Sequence, residues 1–297
     1  MTFSLAGRCE RTGAVGAVIA SASMAVAARC VAVRAGVGAV CSQSATDPRL
    51  REAVLEAMAG GRNAPDALAV VVGRAPDIVY RQLAAVDAAG GSASYSGDLS
   101  LGEATGVCAA GAAAAGNLLA DRGVPAAMLA AFAERAPDSL GERLIAALQA
   151  GLAAGGEVSA VRSAGLVIAE SVPWPVTDLR VDWHEDPVGQ LAGLWQMWQP
   201  QVQSYVGRAL RPSSSPLPRI VIGFFRTDRR ASRAQPGQRP GQEGDHRGHA
   251  EGQDGGRHPA RRGKADGMPD RRPRRGPPGH IAGVDELVGD EPGGPGQ

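Results

Sequence analysis

Apolar and polar residues alternate from Thr2 to Leu5, and a run of small apolar residues spans 14–21. Residues 3–8 and 14–21 read as a pair of β-strands, with Arg11-Thr12-Gly13 as the turn between them. Residues 36–41 read as a third strand, whose glycines let another layer or a ligand approach closely. The period then changes. Leu50, Val54, Leu55 and Met58 fall on one helical face behind Asp47-Pro48, an N-cap followed by a first-turn proline, and Gly60-Gly61 ends the helix. Asn63 and Pro65 open a second helix over residues 64–73. Residues 83–86 and 93–95 predict a hairpin around Ala88-Ala89-Gly90-Gly91. Helices follow at 124–134 and 139–153, strands at 164–169 and 178–182. A last helix at 187–198 carries Leu191, Leu194, Trp195 and Trp198 on one face.

Strands, helices, strands, helices, strands, helix is an α+β order rather than an alternating βαβ one. The first three strands are expected to share one sheet, with Gly16, Gly36 and Gly38 where layers or a ligand come close. Aromatic residues are only 4% of the chain and hydrophobic residues 44%, so the core must be built from Ala, Val and Leu. Small side chains of this kind suit two closely stacked sheets with helices outside.

The pattern fails near Arg211. Pro212-Ser213-Ser214-Ser215-Pro216 is followed by one short apolar patch, residues 220–225, and then by Arg, Gly and Pro. Such a composition leaves too little to bury, so residues 1–211 are expected as the folded domain and 212–297 as a disordered tail. Four of the five histidines and the only lysine, Lys264, lie in that tail. Acidic residues are interspersed and no aromatic follows Phe225, so no nucleic-acid partner is expected. Runs such as Arg271-Arg272-Pro273-Arg274-Arg275-Gly276 are what a GC-rich gene yields when read out of frame.

Charge and cysteine content narrow the picture further. Lys and Arg number 31 against 30 Asp and Glu, a net charge of +1, which excludes a strongly electrostatic partner for the chain as a whole. Cys9, Cys30, Cys41 and Cys108 form no C-x-x-C pair and read as small buried apolar residues, so neither a zinc site nor a disulfide framework is expected. No apolar run reaches the ~18 residues of a membrane span. The small apolar stretch at 14–33 is interrupted by Ser and Gly, so it is not read as a signal peptide and a cytoplasmic protein is expected.

An ordered series of motifs is similar to the DUF1028 family. It begins at Met1-Thr2-Phe3-Ser4 and continues through residues 34–40, Arg81-Gln82-Leu83, Val86-Asp87 and Gly116-Asn117-Leu118-Leu119. It then takes in residues 150–156, Asp178-Leu179-Arg180-Val181-Asp182, His184 and Asp186-Pro187. The resemblance spans about residues 1–211 and implies a four-layer αββα sandwich of the N-terminal-nucleophile (Ntn) hydrolase type. Longer relatives carry a small module resembling a peptidoglycan-binding domain. Residues 198–210 resemble the lead-in to it, and the similarity stops after Pro212. Where the family pattern has Gly-Gly-Asp-Arg-Arg-Gly, this chain has Gly155-Gly156-Glu157-Val158-Ser159-Ala160, and Ala22 and Ala112 to Ala115 stand where polar or aromatic residues are usual.

Thr2 is the leading candidate for chemistry. Removal of Met1 before a small residue leaves Thr2 with a free α-amine of pKa near ~8, so one residue supplies both nucleophile and base. The competing reading is an ordinary strand threonine. Asn117, behind Gly116, can donate to an oxyanion or serve as a turn residue. Ser21 and Ser23, at the end of the second strand, can line a pocket near Thr2. Arg34, from the matched motif, is grouped with them as a substrate-binding candidate. Asp178, Arg180, Asp182 and His184 alternate on one face of a strand and can orient a substrate carboxylate, or else form a structural ion-pair ladder. These residues lead to one expectation, an amide hydrolase acting on a small molecule without metal or cofactor, as a possible homodimer. The alternative is a non-catalytic binding or scaffold protein, or an inactive member, on the same fold.

Overall fold

The computed structural model describes residues 2–214 and 281–283. Strands β1 (Thr2–Arg8) and β2 (Val15–Ser21) pair antiparallel, Phe3 opposite Ala20 and Arg8 opposite Val15. The chain then crosses through a short helix α1 (Val26–Cys30) to β3 (Val31–Arg34) and β4 (Gly38–Ser44). Helices α2 (Pro48–Ala59) and α3 (Ala64–Val72) follow, then the hairpin β5 (Arg81–Asp87) and β6 (Ser92–Ser96). A second hairpin, β7 (Thr105–Ala109) and β8 (Ala112–Asn117), leads to α4 (Val124–Glu134) and α5 (Leu140–Ala153). The domain finishes with β9 (Ser163–Ala169), β10 (Thr177–Val181), α6 (Pro187–Trp198) and α7 (Val202–Leu210).

The strands form two antiparallel sheets. One has the order β10-β9-β2-β1-β8-β7; the other is β6-β5-β4-β3, extended at its β6 edge by β11 (Ile281–Gly283). The expectation that the first three strands share a sheet is therefore corrected: β1 and β2 lie in the six-stranded sheet, and the glycine-rich strand is β4 of the other. The α1 crossover, which the small-residue pattern did not reveal, carries the chain between sheets. The disorder expected of 212–297 concerns residues outside those described, apart from a turn at 212–214 and the β11 strand.

Side-chain alternation along β1 explains the layering. Phe3 and Leu5 point out, packing with Met128, Phe132, Leu144 and Leu148 of α4 and α5. Ala6 points in, toward a layer of Ala17, Ile19, Ala39, Cys41, Ala84, Val86, Ala113 and Ala115 shared by both sheets. On the far side, α2 and α3 cover the second sheet through Leu50, Val54, Leu55 and Leu68 against Val40, Leu83 and Tyr95. The result is the four-layer αββα sandwich. Gly38 shows how tightly it is assembled, because a Cβ there would meet the Val86 carbonyl oxygen and Met58. Gly16 is similarly confined by Val167 and Leu144, whereas a Cβ at Gly36 would meet nothing and that glycine serves a turn at φ +69°.

Local signals hold the elements in place. Asp47 caps α2 by accepting from the Arg49 amide at 3.0 Å, and Asn63 caps α3 through the Asp66 amide at 2.8 Å. Ser139 and Glu142 form a reciprocal capping box at the start of α5. Asp87 closes the β5–β6 hairpin: its Oδ1 accepts from the amides of Ala89, Gly90 and Gly91, and its Oδ2 from Ala64 at the start of α3. All four cysteines are buried free thiols, and burial pushes Cys41 up to about 12.

Candidate functional site

The inward face of the sandwich changes chemistry along its length. Around Ala6 it is built from Ala, Cys and Val, but at the amino-terminal end of β1 the same face presents Thr2 and Ser4. The strands facing or flanking them turn polar at the same level, with Ser21 on β2, Gln43 on β4, Gln82 on β5, Ser96 on β6 and Asn117 on β8. Thr2, Ser4, Ser21, Gln43, Gln82 and Asn117 are all at least 95% buried. Polar groups at that depth require partners.

Most of them find each other across the sheets. Ser4 Oγ donates to Gln43 Oε1 at 2.7 Å, and Gln43 Nε2 donates to Gln82 Oε1 at 2.8 Å and to the Ala115 carbonyl at 3.1 Å. Gln82 Nε2 faces the Gly116 carbonyl at 2.8 Å, the Thr105 carbonyl at 3.2 Å and Ser96 Oγ at 2.8 Å. Those carbonyls can only accept, so they fix which end of the Gln82 amide is nitrogen and turn its oxygen toward Asn117. Asn117 Nδ2 accordingly donates to Gln82 Oε1 at 3.1 Å, and Asn117 Oδ1 is left over.

Thr2 sits directly opposite Asn117 in the β1–β8 register, and its Oγ1 donates to Ser21 Oγ at 3.4 Å. Ser21 Oγ also accepts from the Ser23 amide at 3.0 Å, which ties the end of β2 to the loop before α1. Behind Thr2 comes the segment after α5. Gly155 and Gly156 adopt positive φ, +117° and +59°, and turn the chain so that Glu157 bridges to Leu119. Glu157 is only 5% exposed, and neither carboxylate oxygen has a hydrogen-bond partner among the described residues. Burial raises it to about 7; the chain's amino-terminal charge and the Ala22 amide oppose the rise, the amide without completing a hydrogen bond.

The buried side-chain oxygens left unpartnered among the described residues are Asn117 Oδ1 and the two of Glu157. All three belong to the Thr2 end. A polar cavity of about 540 Å³ opens beside it, lined by Ser96, Asp98, Glu103, Thr105 and Arg122. Its Ser96 and Thr105 are the same residues that hold the Gln82 amide. A groove of similar volume, about 560 Å³, lies between α2 and α3 on the outer face, away from these groups.

Of the residues proposed from the sequence, the structure brings together Thr2, Asn117, Ser21 and Ser23. The others lie elsewhere. Arg34 is bound at 2.8 Å to Glu56 of α2 on the surface of the second sheet. Asp178 and Arg180 form a two-bond ion pair on exposed β10, both contacts 2.7 Å, and Arg180 is held above its usual range by that pairing. Asp182 and His184 follow the strand as exposed residues, and His184 Nδ1 accepts from the Asp186 amide at the start of α6. The sequence reading missed Ser4, Gln43, Gln82 and Glu157. Gln43 and Gln82 lie two residues from inward-facing Cys41 and Ala84, and that spacing was the available signal.

Among the described residues no group of three or more His, Cys, Asp or Glu side chains is placed to hold a metal ion, and no helix is long and apolar enough to cross a membrane.

A protein-family model described as a family of unknown function, DUF1028, matches residues 2–191. The solved structure of protein SPO2555 from Silicibacter pomeroyi, assigned to the same family, is 32% identical with a TM-score of 0.62, over 66% of this chain and 85% of that one. Anbu from Hyphomicrobium sp. strain MC1 aligns at 15% identity and a TM-score of 0.33, over 69% of this chain and 98% of its own. No curated protein matches. The matched span contains Thr2, Gln43, Gln82, Asn117 and Glu157, and the chain belongs to the DUF1028 family.

Proposed function

We propose that the protein is an Ntn-type hydrolase that cleaves an amide bond in a small molecule, with Thr2 as the nucleophile. The observation that carries this reading is the placement of Thr2: the first residue of a central strand, at the polar end of the sandwich, opposite Asn117 and bonded to Ser21, whose carbonyl ties down the segment that carries Glu157, a buried carboxylate unpartnered among the described residues. In a chain that starts at Thr2, the α-amine takes the hydroxyl proton as Oγ1 attacks the carbonyl. The C–N bond then breaks, the leaving amine takes the proton, and water hydrolyses the resulting ester. Asn117 has a second Nδ2 hydrogen, beyond the one given to Gln82, for the developing oxyanion. No cofactor enters this scheme, and we place the protein in the cytoplasm.

The non-catalytic reading draws on the depth of Thr2, 5% exposed with its hydroxyl bonded to Ser21. One experiment separates the two. Purified protein is screened against an amide library, and its intact mass is measured. Loss of Met1, turnover of at least one amide, no turnover by Thr2→Ala and residual turnover by Thr2→Ser support the hydrolase. Equal turnover by the parent and Thr2→Ala removes Thr2 from the mechanism.

A further inference from the structure

A buried carboxylate with both oxygens unsatisfied is costly unless a cation or donor meets it. Glu157 is such a group, and Asn117 Oδ1 adds a third unsatisfied acceptor at the same end of the sandwich. Glu157 reaches this place through the paired glycines after α5, with the Val158 amide bonded to the Leu118 carbonyl at 3.0 Å and the Ala120 amide to the Gly156 carbonyl at 3.2 Å. The segment is thereby stitched to the residues just after Asn117. The Arg162 amide bonds the Ser21 carbonyl at 2.8 Å, which fastens its other end beside the Thr2–Ser21 contact. Fixed on both sides, Glu157 acts on the Ala22 amide, and Ala22 directly follows the Ser21 that bonds Thr2.

We propose that Glu157 is the positioning residue for the α-amine of a chain beginning at Thr2, holding it beside the Thr2 hydroxyl with Asn117 Oδ1 as a second acceptor. An α-ammonium has three N–H donors, and Glu157 Oε1, Glu157 Oε2 and Asn117 Oδ1 are three buried acceptors without a partner among the described residues. The pairing also gives the amine a route to its working form. An N–H bond of the ammonium breaks, an O–H bond forms on Glu157, and a neutral amine and a neutral acid replace the ion pair. Burial favours that exchange, because both charges disappear together. The amine can then accept the Thr2 Oγ1 proton. The proposal rests on Thr2 acting as nucleophile, and it assigns to Glu157 a role in placing and discharging the amine, not in touching substrate.

The test uses full-length protein released from a ubiquitin fusion so that it begins at Thr2. The α-amine is titrated by NMR in the parent, Glu157→Gln, Glu157→Ala and Glu157→Asp. A simple alkyl β-lactone is used in parallel as an acylating probe, and its addition to the amino-terminal peptide is followed by mass spectrometry across pH. A neighbouring carboxylate favours the charged amine, so the amine of Glu157→Gln should titrate about one unit lower than the parent. The pH midpoint of β-lactone labelling should move down with it, while Glu157→Asp stays closer to the parent. A merely structural role would change the plateau rate and leave the midpoint in place. An amine titration unchanged in Glu157→Gln overturns the proposal, and should Glu157→Gln fail to fold, an unchanged titration in Glu157→Ala does the same. A shifted amine in protein whose Thr2 hydroxyl is never acylated supports the anchoring role while rejecting Thr2 as nucleophile.

Discussion

Asn117 and Gln82 belong to different sheets, and the Asn117 amide donates across the interface to Gln82 Oε1 at 3.1 Å. The bond makes one unit of the two layers at the end where Thr2 lies.

Replacing Gln82 with Leu should therefore destabilise the protein. The Thr105 and Gly116 carbonyls and Asn117 Nδ2 all lose a partner at once. Unsatisfied buried groups cost about 1–3 kcal/mol each, partly relieved by water, so a loss of about 3 kcal/mol is expected in urea unfolding. A variant as stable as the parent would show that these groups are wet.

Glu157 makes stability depend on pH in an unusual direction for a carboxyl. Its folded pKa, about 7, lies above the ordinary value of 4.5, so between those values the native state holds a proton that the unfolded chain has released. Its contribution is greatest in the more acidic part of this range and declines as pH rises toward 7. Glu157→Gln cannot ionise, so it should flatten that part of the pH–stability curve and unfold at higher urea than the parent at pH 8. A gain of up to about 3 kcal/mol corresponds to a shift of this size. Parallel curves for the two proteins would contradict the buried, protonated acid.

Gly38→Val tests the spacing between β4 and its neighbours. The new side chain would run into the Val86 carbonyl and Met58. Overpacking of this kind costs about 1–3 kcal/mol, read as a lower thermal midpoint by calorimetry. An unchanged midpoint would mean that the layers can part at no cost.

Asp87→Ala removes an acceptor from four backbone amides, three in the hairpin loop and one at the start of α3. A loss of about 3 kcal/mol is expected, larger than for a single cap, and hydrogen exchange at Ala64, Ala89, Gly90 and Gly91 should accelerate together. Faster exchange at only the loop amides would show that α3 does not depend on Asp87.

Elements marked by local chemistry were legible in the sequence. Asp47, Asn63 and Ser139 announce the helices that they cap, and Thr2 to Leu5 announces β1. Strand β8 was not, because Ala112 to Ala115 favour helix as isolated residues; packing between β1 and β7, where only small side chains fit, decides otherwise. Thr2 and Asn117 could be singled out before the register that pairs them was known. Gln43 and Gln82 carry only their two-residue spacing from Cys41 and Ala84 as a signal, and Glu157 carries none, since a polar residue in a strand or after a helix looks solvent-facing until the opposite layer is in place. Asp178 and Arg180 show the converse: a suggestive alternation that forms a local surface pair.

The inner faces of the sandwich also set where water can enter. Around Ala6, Ala17, Ala39 and Ala84 the sheets meet through methyl groups that gain nothing from hydration. At the Ser4, Gln43 and Gln82 end, each bond broken by a slight separation can be replaced by one to solvent. The alanine end gains nothing from wetting, whereas the amide end can exchange its bonds for water, so hydration between the sheets is favoured at the end where Thr2 lies.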